Sequence, residues 1–283
     1  MAASQSYLNI SVGGLQAYLD NRLGNNVTLL DSKNNVGSGV VNDNRMQLQL
    51  RPDLIITDIT FSSRRADAVS ALAYRLSVSD ALVRRQQLAY DSIWSSANQR
   101  EFYSESKSDS GFRQWDLEFT SRYSRIDVGL GLKTREYRVY NHDGVESYDL
   151  VPNFANVQAG SIVDYSVSYL MPYVSGALND LRVYKALSID LSMRLMPFAR
   201  AAETETHYWR NYRASSHLTG VGYELSIASH FPLDSHTRLT VGYDLSRLLL
   251  QGKRDFEGFS FLSMDEKQDL RQWRVLVGLA FLL

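Results

Sequence analysis

The C-terminal stretch Trp273–Leu283 reads WRVLVGLAFLL, and its period decides the fold class. Taken two residues at a time, Trp273, Val275, Val277, Leu279, Phe281 and Leu283 share one face, while Arg274, Gly278 and Ala280 fall on the other. The run is too short for a helical span, which needs about 18 to 20 apolar residues, and no other stretch of the chain supplies them. A strand with one wholly apolar face and a second face carrying Arg and Gly suits a barrel wall between lipid and lumen. Taken alone, the segment fits a strand of a soluble sandwich equally.

Repetition separates the two. Working outward from the C-terminus, the pattern recurs near 6–19, 45–62, 68–85, 111–122, 126–140, 163–178, 184–200, 214–230, 238–250 and 271–283. Connections are short at Arg64–Asp67, Tyr123–Arg125, Asn179–Val183 and Phe231–Thr237. They are long and polar near 20–44, 86–110, 141–162, 201–213 and 251–270. Long and short alternate throughout, as they do in an up-and-down barrel with short periplasmic turns and long extracellular loops. A soluble sandwich has no reason to sort its loops by side. We expect all of 1–283 to form one all-β domain, a ten-stranded antiparallel up-and-down transmembrane β-barrel with five long extracellular loops.

The faces agree with this. Leu72, Tyr74, Leu76 and Val78 alternate with Arg75, Ser77 and Ser79, and Ile126, Val128, Leu130 and Leu132 alternate with Asp127, Gly129, Gly131 and Lys133. The inward set holds acids (Asp58, Asp116, Glu118, Asp127, Asp164, Asp190, Glu224, Asp244) and bases (Arg75, Lys133, Arg135, Arg194, Arg274). Ten strands enclose little more than side chains fill, whereas porins need about 16 to leave a channel. Those charges are therefore expected to pair and plug the lumen, which counts against a diffusion pore. Phase breaks at Gly13-Gly14 and Met196-Pro197 predict bulges.

Bulk composition hides the membrane. With 44% hydrophobic and 22% charged residues and a net charge of -1, the 283 residues average to a soluble-looking chain and argue against disorder or nucleic-acid binding. The 17 tyrosines against 11 phenylalanines, and only five prolines, favour extended segments with interfacial aromatics. The absence of cysteine excludes disulfides, thiolate metal sites and a cysteine nucleophile, and suits an envelope protein.

Ten strands, five long loops and this terminal strand resemble the omptins, outer-membrane proteases of Gram-negative bacteria. Local support comes from Trp115-Asp116-Leu117, the GLKTREYR run at Gly131–Arg138, Met171-Pro172-Tyr173 and Glu205-Thr206-His207-Tyr208. The resemblance implies a cell-surface hydrolase in which water is held between an acid pair and an acid-His dyad. A carboxylate orients an imidazole, the imidazole takes a proton from water, and opposing carboxylates position that water. The family's Asp-x-His looks like Glu205-x-His207 here, two residues apart and so on one strand face. By the phase of Leu187, Ile189, Leu191 and Met193 that face points outward, so the dyad needs the slip at Pro197 to reach the lumen. The acid pair, Asp-x-Asp-Trp in the family, reads Asp91-Ser92-Ile93-Trp94, with Ile93 where the second acid belongs. Glu101, Glu105 and Asp109 in the same loop are substitutes without supporting spacing.

Asp91, Glu205 and His207 are thus the candidate catalytic residues, set against a solvated loop pair with no role. The family also binds lipopolysaccharide on its outer wall, which supports its activity. Thr134, Glu136 and Arg138 continue the outward face of the fifth strand and match the family's Glu-x-Arg lipid site, or else form a polar strand end above the membrane. His142-Asp143-Gly144 reads as a tight turn. His217, His230 and His236 lack metal-ligand spacing, and neither a metal nor a cofactor is expected beyond lipopolysaccharide as an activator. Three functions follow: an omptin-like surface endopeptidase acting on peptide or host protein; an inactive omptin-fold barrel serving as adhesin or binding surface; and, less favoured, a narrow channel. All three place the chain integrally in the outer membrane, with lipid and lipopolysaccharide as partners and no nucleic acid.

Overall fold

In-out alternation, broken only at local bulges, persists along strands of 20 residues or more, and the chain closes on itself as one sheet. The computed structural model describes residues 4–23, 26–30, 36–40, 45–50, 52–65, 71–84, 86–94, 100–123, 126–148, 155–184, 187–208, 211–257 and 262–283. Its strands are β1 (Ser4–Leu23), β2 (Asn26–Leu30), β3 (Val36–Val40), β4 (Arg45–Leu50), β5 (Asp53–Arg65), β6 (Ala71–Arg84) and β7 (Gln87–Trp94). Then follow β8 (Arg100–Tyr123), β9 (Ile126–Tyr148), β10 (Ala155–Tyr184), β11 (Leu187–His207), β12 (Tyr212–Pro232), β13 (Thr237–Glu257) and β14 (Leu262–Leu282). Antiparallel pairing runs β1-β5-β6-β8-β9-β10-β11-β12-β13-β14, and β14 returns to β1 from Tyr7↔Leu282 to Leu23↔Glu266. This is the expected ten-strand ring.

Two of the ten staves are interrupted. β5 and β4 lie in one line beside β1, with Gln16↔Asp53 and Leu19↔Leu50, and the break falls next to Pro52, which has no N–H to give the ladder. β7 continues β6 upward along β8 and also pairs with β4. β2 and β3 form a hairpin joined to β14 at Leu29↔Leu262.

Large apolar side chains cover the outside: Leu130 is 64% and Leu72 62% exposed, amid a belt of Leu, Val, Ile, Phe and Trp that water would not tolerate. Inside, the expected pairing is found. Lys133 Nζ meets Glu224 at 2.6 Å, Arg194 Nη1 meets Asp116 at 3.1 Å and Nη2 meets Glu118 at 3.0 Å, and Arg274 Nη2 meets Asp244 at 2.6 Å. These groups are almost wholly buried and fill the middle of the lumen.

Several local expectations fail. Gly13-Gly14 is not a bulge: β1 keeps its register there, and Gly13 is instead a close approach, where a Cβ would meet the Val275 carbonyl oxygen at 1.8 Å. Asn179–Val183 is not the third short turn, because β10 runs on to Tyr184. The irregularity is absorbed by register shifts and by Asp180, whose φ of 55° is held by its N–H bonding to Asp190 Oδ1 at 2.8 Å. His142-Asp143-Gly144 lies within β9 as an irregularity, not a turn, with Asp143 at φ 45°. Asp164 is exposed on the outer face, because the residues of β10 that turn into the lumen are Val163, Tyr165, Val167, Tyr169, Met171 and Tyr173, the opposite parity.

Candidate functional site

The slip at Pro197 does what the dyad requires. On β11, Leu191, Met193 and Leu195 face out; Met196 is fully buried; Pro197 and Phe198 then both lie outside, and Ala199 is buried again. Pairing with β12 shifts between Met196 and Ala199. One extra residue reverses the phase, so Ala201, Glu203, Glu205 and His207 all turn into the lumen and are buried.

Around them is a network gathered from distant strands. Arg254 of β13 places Nη2 against Glu205 Oε2 and Nη1 3.2 Å from Glu266 Oε1 and 3.9 Å from Glu203 Oε2. One guanidinium thus faces three carboxylates. Tyr212 donates its hydroxyl to Glu205 Oε1 at 3.0 Å, so both oxygens of Glu205 are engaged. The His207 ring lies 5.0 Å from the Tyr212 ring at a 33° tilt. Glu203 accepts from Tyr165 Oη at 2.7 Å and from Gln268 Nε2, and Ser216 donates to Glu266.

A cavity of about 30 Å³ opens among Asn21, Asn141, Glu146, Glu205, His207 and Arg254. That is room for one or two waters, and the buried Oδ1 atoms of Asn21 and Asn141, which have no hydrogen-bond partner among the described residues, give a water something to bind.

Asp91 and Ile93 lie in β7, the upward extension of the third stave, but their side chains lie outside the described residues. Asp91 is paired with Leu48 of β4 and with Ser104 of β8, and Ser104 lines the cavity. Of the substitute acids, Glu105 and Asp109 fall in the outward phase of β8, opposite to the buried Ser106, Ser108 and Ser110; the side chain of Glu101 lies outside the described residues.

Thr134, Glu136 and Arg138 are on the outer wall as expected, continuing the face of Leu132. Arg138 donates from Nε to Glu136 Oε1 at 2.7 Å, so the pair is balanced. At the rim beyond them, the Asp143 carboxyl is held below its usual range. The main cause is the Gly160 N–H at 2.8 Å, followed by His142 Nδ1 at 3.0 Å.

Sequence reasoning passed over Arg254, Glu266, Tyr212 and Glu146. Arg254 and Glu266 were assigned to the long loop 251–270, yet they lie on β13 and β14. Glu203 carried the one usable signal, sharing parity with Glu205 and His207.

The chain matches no protein-family model, and no curated protein matches it in sequence. Among solved structures it is similar to the outer membrane protease OmpT from Escherichia coli, at a TM-score of 0.75 and 13% identity, over 99% of this chain and 97% of that one. The translocator domain of the autotransporter NalP from Neisseria meningitidis aligns at a TM-score of 0.33 and 9% identity, over 96% and 88%. The first likeness extends over the whole ring, and the chain has the ten-stranded outer-membrane barrel fold that it shares with that protease.

Proposed function

We propose that the chain is an integral outer-membrane barrel that presents its long-loop mouth as a binding surface for peptide or protein partners and does not cleave them. The Arg254–Glu205 ion pair carries this reading. General-base catalysis by an acid-His dyad uses the negative charge of the carboxylate to stabilise the imidazolium that forms. Here a guanidinium and a phenol already take both Glu205 oxygens. Ile93 also removes one of the two carboxylates that would hold water from the other side. The paired charges across the lumen weigh against a channel.

An omptin-like surface endopeptidase using Asp91, Glu205 and His207 is the second reading. It is favoured by the bulge that turns Glu205 and His207 inward and by the water-sized cavity that both help to line. On either reading, outer-membrane lipid contacts the belt, and lipopolysaccharide would meet Thr134, Glu136 and Arg138.

A cleavage assay on peptides with basic residues, with lipopolysaccharide present, separates the two. Wild type and His207→Ala are expected to give the same trace. Cleavage by wild type that disappears in His207→Ala overturns the non-catalytic reading. Conductance above background in planar bilayers would revive the channel.

A further inference from the structure

On the outer wall, away from the mouth, the structure assigns a second lipid site: a groove that takes an acyl segment beside two arginines that take the phosphate of the same membrane lipid. The groove, about 290 Å³, lies where the Pro197 bulge loosens the β11–β12 wall. Leu195, Pro197, Val221 and Leu249 line it, with Tyr223 and Arg247 on its side. Leu195, Val221 and Leu249 belong to the lipid-facing belt.

Arg247 lies on the outward face of β13 between Leu245 and Leu249, in the upper part of that belt. In register it faces Tyr223 on one side and Arg271 on the other, and Arg271 in turn faces Tyr18, so a Tyr-Arg-Arg-Tyr row crosses four strands. One outward pair below, Leu245 faces Trp273, and the apolar surface continues toward the other end of the strands. Aromatics and cations in this arrangement mark headgroup depth.

Asp269 bridges the two arginines. It accepts from Arg247 Nε at 3.0 Å and Nη2 at 2.8 Å, and from Arg271 Nε at 3.1 Å and Nη2 at 2.7 Å. Two guanidiniums share one carboxylate, which leaves one net positive charge among the three groups. The side chains are 37% and 52% exposed, so a headgroup can reach them. A cation on a lipid-facing surface costs free energy unless it is matched, and guanidinium matches phosphate with paired donors. Arg138 on β9 differs, because Glu136 balances it one to one. The inference rests on the barrel fold alone and is independent of whether the mouth cleaves.

The test uses the full chain in phosphatidylcholine nanodiscs with and without phosphatidylglycerol, with retained lipid counted by native mass spectrometry. Wild type is expected to retain phosphatidylglycerol in preference to phosphatidylcholine. Arg247→Gln/Arg271→Gln should lower that preference by roughly ten- to thirtyfold, from about 1 kcal/mol for each cation near a charged lipid surface. Asp269→Asn, which raises the net charge, should increase it and serves if the double variant fails to fold. Arg113→Gln, which removes an exposed cation balanced one to one by Asp80, should leave it unchanged. Equal retention of the two lipids by wild type, undiminished preference in the double variant, or no gain in Asp269→Asn overturns the assignment.

Discussion

Lys133 and Glu224 meet across the lumen from β9 and β12, with Nζ 2.7 Å from Oε1 and 2.6 Å from Oε2, and both side chains are out of contact with solvent. Arg194 Nη1, from the register partner on neighbouring β11, bonds the same carboxylate at 2.5 Å, so Glu224 holds two cations. Glu224→Ala is expected to destabilise the barrel by about 3–5 kcal/mol, because it strands buried cations. Lys133→Met/Glu224→Met should cost less than the single change. Urea unfolding read by the mobility of unboiled samples on gels measures both, and a single-variant loss under about 1 kcal/mol would remove Glu224 as the centre of the plug.

The closing seam between β1 and β14 sets two adjacent glycines apart. A Cβ at Gly13 would lie 1.8 Å from the Val275 carbonyl oxygen, whereas one at Gly14 would meet nothing within 4 Å. Gly13→Ala should therefore force the seam open, at a cost of about 1–3 kcal/mol typical of overpacking. Gly14→Ala should stay within about 0.5 kcal/mol of wild type. Equal unfolding midpoints for the two variants would show that the seam yields without cost.

The barrel was legible because a membrane imposes alternation: Leu72, Tyr74 and Leu76 face lipid, so Arg75 and Ser77 must face the lumen. The signal fades where the membrane ends. Above the belt both faces meet water or packed polar groups, so β13 past Leu250 looks like loop, and Arg254 and Glu266 disappear from the reading. The dyad was legible only conditionally. Glu205 and His207 carry the outward parity of Leu187 to Leu195, and only the break marked by Pro197 brings them inside. What surrounds them was not legible, because the contacts of Arg254 with Glu203, Glu205 and Glu266 join β11, β13 and β14 and have no local pattern.

At the rim, Asp143 fastens β10 to β9 through the Gly160 N–H, and its carboxyl titrates below the usual range because that bond and His142 favour the charged form. For a carboxyl lowered by folding, the stabilisation is complete above the unfolded value of about 3.9 and is lost as pH falls through the folded one. Amide exchange at Gly160, expressed as a protection factor, is expected to hold down to mildly acidic pH and drop below that window. Asp143→Asn keeps a residue tolerant of φ 45° without the charge, so its protection should not vary with pH. Parallel pH curves for the two proteins would refute the role of the charge.

Arg254 is expected to hold the upper lumen as well as silence the dyad. It compensates Glu203, Glu205 and Glu266, all buried, so Arg254→Gln leaves three carboxylates close together with no guanidinium among them. The loss should be about 3–5 kcal/mol, and hydrogen exchange should rise in the upper halves of β11, β13 and β14 more than near Lys133. Adding Glu266→Gln should recover part of it, since one fewer charge is left unmatched. If stability falls but peptide cleavage stays absent, Ile93 is a sufficient block by itself. If Arg254→Gln cleaves peptides and Arg254→Gln/His207→Ala does not, the guanidinium alone was silencing a working dyad. Unchanged stability with no redistribution of exchange would mean that the three acids shed their charge without Arg254, and that its contact with Glu205 is not what keeps the imidazole from acting as a base.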